Sequence, residues 1–186
     1  NIVAKAEVSE SFEREVAIYD LNEFLASLSL FKSPVLEFDE SFVTIKEENT
    51  TTSLKYFYSD PSVVTTPSKT IKMPSKEVTF SLKGEDLTKL KRAAGVIGAP
   101  DLVLERKDTG SFLTVKDKKN DTANTFSLDV TTTSEGNFNC FFTVENLKVM
   151  DGNYDVEISS KNISHLSSSN KDVEYWVALE PESTYE

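Results

Sequence analysis

An α+β protein made of two tandem, similar modules is what this chain predicts, and three observations carry the prediction. The run from Val16 to Tyr58 and the run from Phe141 to Pro181 repeat one order of elements, which means that a supersecondary unit was copied and that the copies pack as equivalent modules. Most of the chain alternates apolar and polar residues with period two, rich in β-branched and aromatic side chains, the pattern of strands with one buried face. Only two stretches carry a long helical stripe, so antiparallel meanders with few, short helices are expected.

The duplication is ordered rather than close. Leu21 and Phe24 answer Leu147 and Met150, Leu36-Glu37-Phe38 answers Val156-Glu157-Ile158, and Leu54-Lys55-Tyr56-Phe57 answers Val173-Glu174-Tyr175-Trp176. Ala4 to Val8 can be laid on Thr125 to Val130. The copies are unequal: the second begins near Val78 and includes a strand, a helix and a hairpin with no counterpart ahead of Leu21. The expected organisation is a first module over 1–59 lacking its opening strand, helix and hairpin, a connector over 60–76, and a second module over 77–186.

Strands are expected at Ala4–Val8, Val35–Phe38, Phe42–Lys46 and Leu54–Tyr58, then at Val78–Leu82, Leu102–Arg106, Phe112–Lys116, Asn124–Thr131, Phe138–Val144, Tyr154–Ser159 and Val173–Leu179. Asp108-Thr109-Gly110, Glu135-Gly136-Asn137 and Asp151-Gly152-Asn153 supply turn chemistry between them. Asp20 can cap a helix over Leu21–Leu30, where Leu21, Phe24, Leu25 and Leu28 fall at i, i+3, i+4 and i+7. A second helix is expected over Glu85–Val96, with Leu87, Leu90, Ala94 and Ile97 on one side and Thr88, Lys89 and Arg92 on the other. Asn146–Met150 reads as one or two further helical turns. The connector holds Pro61, Pro67 and Pro74, half of the six prolines, and no helical period; Val63, Val64, Ile71 and Met73 make it apolar enough to lie on a surface.

Composition narrows the function. A hydrophobic share of 38% suits ordinary cores. No run approaches the apolar length of a membrane helix, and no secretory signal pattern is visible. Cys140 is the one cysteine, which excludes an intrachain disulfide, and its neighbours Phe138, Phe141 and Phe142 predict a buried, inert thiol. The formal charge of −11 argues against coating nucleic acid with the whole surface while leaving room for a local basic face. Enzyme signals are missing. His165, the one histidine, falls in a Ser/Asn-rich stretch from Ser159 to Asn170 that reads as a loop. Gly95-Val-Ile-Gly98 ends a helix instead of opening one and has no following lysine. Asp39-Glu40 and Glu47-Glu48 decorate turns with no histidine to join them. No catalytic residue, metal or cofactor is expected.

Val16-Ala-Ile-Tyr-Asp-Leu-Asn-Glu-Phe-Leu-Ala-Ser-Leu-Ser-Leu30, Ser59-Asp-Pro-Ser-Val-Val64, Gly84-Glu-Asp-Leu-Thr-Lys-Leu90, Gly152-Asn-Tyr154 and Val177-Ala-Leu-Glu180 together resemble the sliding clamps of T-even-type bacteriophages. Glu174-Tyr-Trp-Val-Ala-Leu-Glu-Pro181 is also similar to the last strand of eukaryotic and archaeal clamps. The resemblance implies a DNA-clamp fold with antiparallel sheets outside and short helices on one face. It also implies a ring of three two-domain subunits, duplex DNA in the hole, an ATP-driven clamp loader, and a DNA polymerase C-terminal peptide docked outside near the connector, in the cytoplasm of an infected bacterial host. Without the resemblance, Lys89, Lys91 and Arg92 on one helix read as a solvated face; with it, they become the DNA-facing candidates, joined by Lys148 and Lys32. Val63 and Val64 with Ala178, Leu179 and Pro181 become candidates for the peptide groove, the bland alternative being that they fix the modules together. Glu23, on the solvent face of the first helix, departs from what a DNA-facing helix wants. The rival expectation is a β-rich virion or tail protein with a structural or carbohydrate-binding role.

Overall fold

The computed structural model describes residues 2–65, 70–134 and 136–185. It divides into a larger unit, Asn1–Ser9 with Lys69–Glu186, and a smaller unit, Glu10–Ser68. In chain order the elements are β1 (Ile2–Ala6), α1 (Leu21–Ser29), β2 (Pro34–Phe38), β3 (Phe42–Glu47), β4 (Ser53–Phe57), β5 (Val78–Leu82) and α2 (Gly84–Ile97). There follow β6 (Asp101–Lys107), β7 (Gly110–Lys116), β8 (Phe126–Val130), β9 (Phe138–Thr143), β10 (Tyr154–Ser159), β11 (Ile163–Ser168), β12 (Val173–Ala178) and β13 (Thr184–Tyr185).

In the larger unit, two five-stranded antiparallel sheets, β1-β12-β11-β10-β5 and β13-β9-β6-β7-β8, enclose one apolar core. Period-two alternation selects the inner faces: Tyr154, Val156 and Ile158 of β10, Leu102 and Leu104 of β6, and Phe138, Cys140 and Phe142 of β9 all enter the core. Leu87, Leu90 and Ala94 bring α2 onto it, against β7 and β8. The opposite face of β6 places Asp101 and Glu105 under lysines, with Lys107 Nζ 2.8 Å and Lys116 Nζ 3.9 Å from Glu105, and Lys118 Nζ 3.5 Å from Asp101. Thr114 also donates to Glu105 at 3.0 Å. Burial raises the Glu105 carboxyl, but these partners outweigh it and hold the group below its usual range.

The smaller unit is the meander β2-β3-β4 with α1. Val43 and Ile45 of the central strand are fully buried, and Ala17 and Phe31 of this unit are buried too. Asp20 caps α1 as expected, accepting from the Glu23 N–H at 3.0 Å, and Phe24 packs edge-on against Tyr56 at 5.1 Å. The stripe is covered only in part. Leu21 is 60% and Leu25 51% exposed, no residue of α1 is buried, and all five residues of β2 are exposed.

The duplication is visible in the topology, where β2-β3-β4 and β10-β11-β12 are the same three-stranded meander. Several local expectations change. His165 lies within β11, directly across from Trp176 of β12, and not in a loop; neighbouring strands on both edges make a strand of a segment whose composition is turn-like. The helical turns expected over Asn146–Met150 do not form beyond Asn146. A single 3-10 turn covers Val144–Asn146, after which Leu147 and Val149 are buried in the core. Pairing with β12 sets the first strand at Ile2–Ala6, two residues before its expected start, and β13 was not foreseen. Among the turn signals, Glu135 lies outside the described residues.

Candidate nucleic-acid and partner surfaces

Helix α2 owes its position to residues distant in sequence. Lys83, at the N-cap, makes no side-chain cap; instead Asn153 Oδ1 accepts from the Gly84 N–H at 2.8 Å, satisfying one of the orphan donors of the first turn. Glu85 and Asp86 sit where the helix dipole favours negative charge. At the other end Gly98 adopts the left-handed conformation, φ 66°, that closes a helix with little strain on glycine.

With Leu87, Leu90 and Ala94 inward, Lys89 and Arg92 are exposed and Lys91 is half-buried. The cations differ in freedom. Lys89 Nζ is 3.7 Å from Asp86, an exposed pair that dampens its field. Lys91 donates to the Val149 carbonyl at 3.0 Å and thereby pins the segment bearing exposed Lys148 beside the helix. Arg92 and Lys148 have no carboxylate partner among the described residues. Lys83 is a further exposed cation at the start of α2 that the helical period passed over, because it precedes the periodic stretch. In the smaller unit Lys32 is exposed and follows α1, its backbone N–H bonded to Glu47 Oε2 at 2.8 Å. Helix α1 itself carries Glu23 and no base in its last turn.

The peptide-groove candidates also divide between units. Val63 and Val64 lie in the smaller one, at a 3-10 turn over Pro61–Val63 whose start is capped by Asp60, Oδ1 accepting from Ser62 N–H at 2.8 Å. Val63 is 55% exposed and Val64 half-buried. In the larger unit Ala178 is half-buried, Pro181 exposed, and Leu179, 6% exposed, belongs to the core. The Leu179 N–H bonds the Asn162 carbonyl at 2.9 Å, so this strand end is held firmly beneath its surface members. Connector residues 66–69 lie outside the described residues. Its far end is fastened to the larger unit. There burial raises the Glu77 carboxyl, but the Ser160 N–H at 2.8 Å and the Ser75 and Ser160 hydroxyls overcome that and keep it below its usual range.

Burial pushes the Cys140 thiol up to about 12, the inert thiol expected of its aromatic surroundings. Among the described residues no cluster of three His, Cys, Asp or Glu side chains could hold a metal, and no helix is long and apolar enough to cross a membrane. An open cleft of about 660 Å³ lies beside β8 in the larger unit, floored by Leu82, Leu113, Leu128 and Val130 and rimmed by Thr79 and Asp155.

Sheets of this order, with one helix on the core and a repeated meander, are those of the sliding clamps. PCNA from Thermococcus kodakaraensis superposes with a TM-score of 0.67 at 17% identity, over 96% of this chain and 82% of that one. The Helicobacter pylori beta clamp bound to DNA ligase peptide gives 0.61 at 16% identity, over 100% of this chain and 54% of that one. In sequence, the Sliding clamp of Vibrio phage KVP40 is 32% identical over 184 residues, covering 96% of this chain and 82% of the relative. That of Enterobacteria phage T4 is 29% identical over 188 residues, again covering 82% of the relative. Residues 79–181 match the family described as gp45 sliding clamp, C terminal, and the chain belongs to the gp45 sliding-clamp family of T4-type phages. That membership leaves the virion-protein alternative without support.

Proposed function

We propose that this chain is the non-enzymatic processivity factor of a phage replication system, acting in the cytoplasm of the infected bacterium. It encircles duplex DNA, slides on it without reading sequence, and holds a DNA polymerase at the primer end by raising its local concentration. The observation that carries the reading is the pairing of β1 with β12, in register from Ile2↔Val177 to Ala6↔Val173. By the duplication, β8 corresponds to β1 and β4 to β12, yet among the described residues β8 and β4 each have one edge without a strand. The same joint made between copies, β8 of one on β4 of the next, is head-to-tail, and such contacts build rings. Three copies close the ring. The cleft beside β8 leaves room for side chains of the incoming strand.

On this reading Lys89, Lys91, Arg92 and Lys148, with Lys32 from the first module, face the phosphates, and enclosure rather than grip retains the DNA. Val63, Val64, Ala178 and Pro181, backed by Leu179, receive the polymerase C-terminal peptide, and a loader opens and closes the ring with ATP that the clamp does not bind. The modules are 1–59 and 77–186 with the connector 60–76 between them.

Two experiments test this. Reversing Lys89, Lys91 and Arg92 to Glu is expected to lower loader-dependent processivity at least tenfold and to flatten its salt dependence; unchanged processivity removes the DNA assignment. Lys55→Pro in β4 is expected to abolish concentration-dependent assembly in sedimentation while leaving the larger unit folded; assembly that persists removes the β8–β4 joint.

A further inference from the structure

The strands that meet at the joint within the chain, β1 and β12, and those assigned to the joint between copies, β8 and β4, each carry a single charged side chain. It is Lys5 in β1, Glu174 in β12, Asp129 in β8 and Lys55 in β4. Alternation turns these side chains away from the apolar faces. Glu174 lies between Val173 and Tyr175, and Asp129 between Leu128 and Val130, neighbours that all pack on the core. Lys55 adjoins Tyr56, whose ring meets Phe24 of α1.

Within the chain Lys5 stands directly opposite Glu174 in the ladder, with its Nζ 3.5 Å from the carboxylate. Glu7, just past β1, is 3.9 Å from the same ammonium. This joint therefore closes with the cation on the strand that corresponds to β8 and the anion on the strand that corresponds to β4. At the joint between copies the signs are exchanged: the duplication lays Lys55 on Glu174, and β8, laid on β1, offers Asp129 in place of Lys5. Lys55 and Asp129 are exposed, and neither has an ion-pair partner among the described residues; Lys55 Nζ rests over the Phe42 ring, 3.9 Å from its centre. A lysine reaches the residue directly across an antiparallel ladder and also its diagonal neighbour, so either placement brings Asp129 within range.

We propose that Lys55 and Asp129 select the partner of each open edge, so that a second copy of this chain docks head-to-tail rather than edge to like edge; the proposal rests on the β8–β4 joint described above. Pairing β4 with β4 brings Lys55 beside Lys55, and pairing β8 with β8 brings Asp129 beside Asp129, like charges that weaken a ladder. Pairing β4 with the outer edge of β1 brings Lys55 beside Lys5. Pairing β8 with β4 brings opposite charges together. Lys5, which could draw Asp129 to β1, is already engaged by Glu174 and Glu7. The exchange of signs also keeps the two joints distinct: a β8 that displaced β1 from β12 would set Asp129 against Glu174.

The test follows the full chain by sedimentation velocity across concentrations at about 0.1 M salt, where charges within about 10 Å still interact. Lys55→Glu and Asp129→Lys are each expected to raise the concentration needed for association by about tenfold or more, with unchanged circular dichroism. The double variant, with both signs exchanged, is expected to associate like the wild type. An equimolar mixture of the two single variants should associate where neither does so alone, because each presents the edge charge that the other lacks. The losses should shrink near about 1 M salt. Single variants that associate like the wild type while Lys55→Pro does not would leave the joint in place and remove the charge selection. Losses restored by neither the double variant nor the mixture would also remove it, since exchanging signs does not repair a folding defect. Association of Lys55→Pro at the wild-type level would remove the joint itself, and the selection with it.

Discussion

Strands β10 and β2 hold the same place in a copied meander, yet Tyr154, Val156 and Ile158 of β10 are buried while every residue of β2 is exposed. Both alternate and both are hydrogen-bonded to the next strand in the chain. What differs is the company: β10 has β5 along its other edge and α2 in the core below, whereas among the described residues β2 pairs with β3 alone. The comparison teaches that alternation specifies which side of a strand is apolar, while burial is conferred by elements elsewhere. A meander can keep its ladder without its cover, at the expense of exposed Val35, Leu36 and Phe38.

The largest expected effect separates the two helices. Leu90→Ala in α2 should lower stability by about 2–5 kcal/mol, because the side chain is fully enclosed, while Leu25→Ala in α1 should cost less than about 0.5 kcal/mol. Urea unfolding measures both, and equal losses would mean that α1 is covered in solution. Next comes Glu105→Gln, expected to cost about 1–3 kcal/mol through its lysine and threonine partners. Since the folded-state carboxyl is held below its usual range, its contribution is full above that range and is lost as pH falls through the lowered value. The difference between wild type and variant should therefore shrink below about pH 4; a difference that grows in acid would reverse the assignment. Smallest is Lys46→Ala, which removes the exposed pair with Glu37 across β2 and β3. It should change stability by no more than about 1 kcal/mol and by nothing measurable near 1 M salt. A larger change would show that charge substitutes for apolar cover in the smaller unit.

Much of this architecture was legible before any coordinates. The stripe of Leu87, Leu90 and Ala94 with Gly98 behind it places α2 nearly to the residue, and the copied order of elements anticipates the repeated meander. Strand β11 was not legible: Ile163-Ser-His-Leu-Ser-Ser168 carries two apolar residues, and it is the edges of β10 and β12 that make it a strand. The candidate site divides in the same way. A helical wheel finds Lys89, Lys91 and Arg92. It cannot find the Val149 carbonyl that Lys91 holds from 58 positions away, nor the Asn153 amide that caps α2 from 69 positions away. Such partners are tertiary and leave no periodic trace.

That distant cap works together with a steric stop. A methyl group placed on Gly84 would come within 2.9 Å of the Gly152 carbonyl oxygen, so the bare backbone of one rests on the bare backbone of the other. The turn at Asp151–Asn153 is thus a gauge block against which the basic helix is seated, and its thickness sets how the row of cations is presented. Anyone wishing to re-aim that row can leave the lysines and arginine untouched and machine the turn instead.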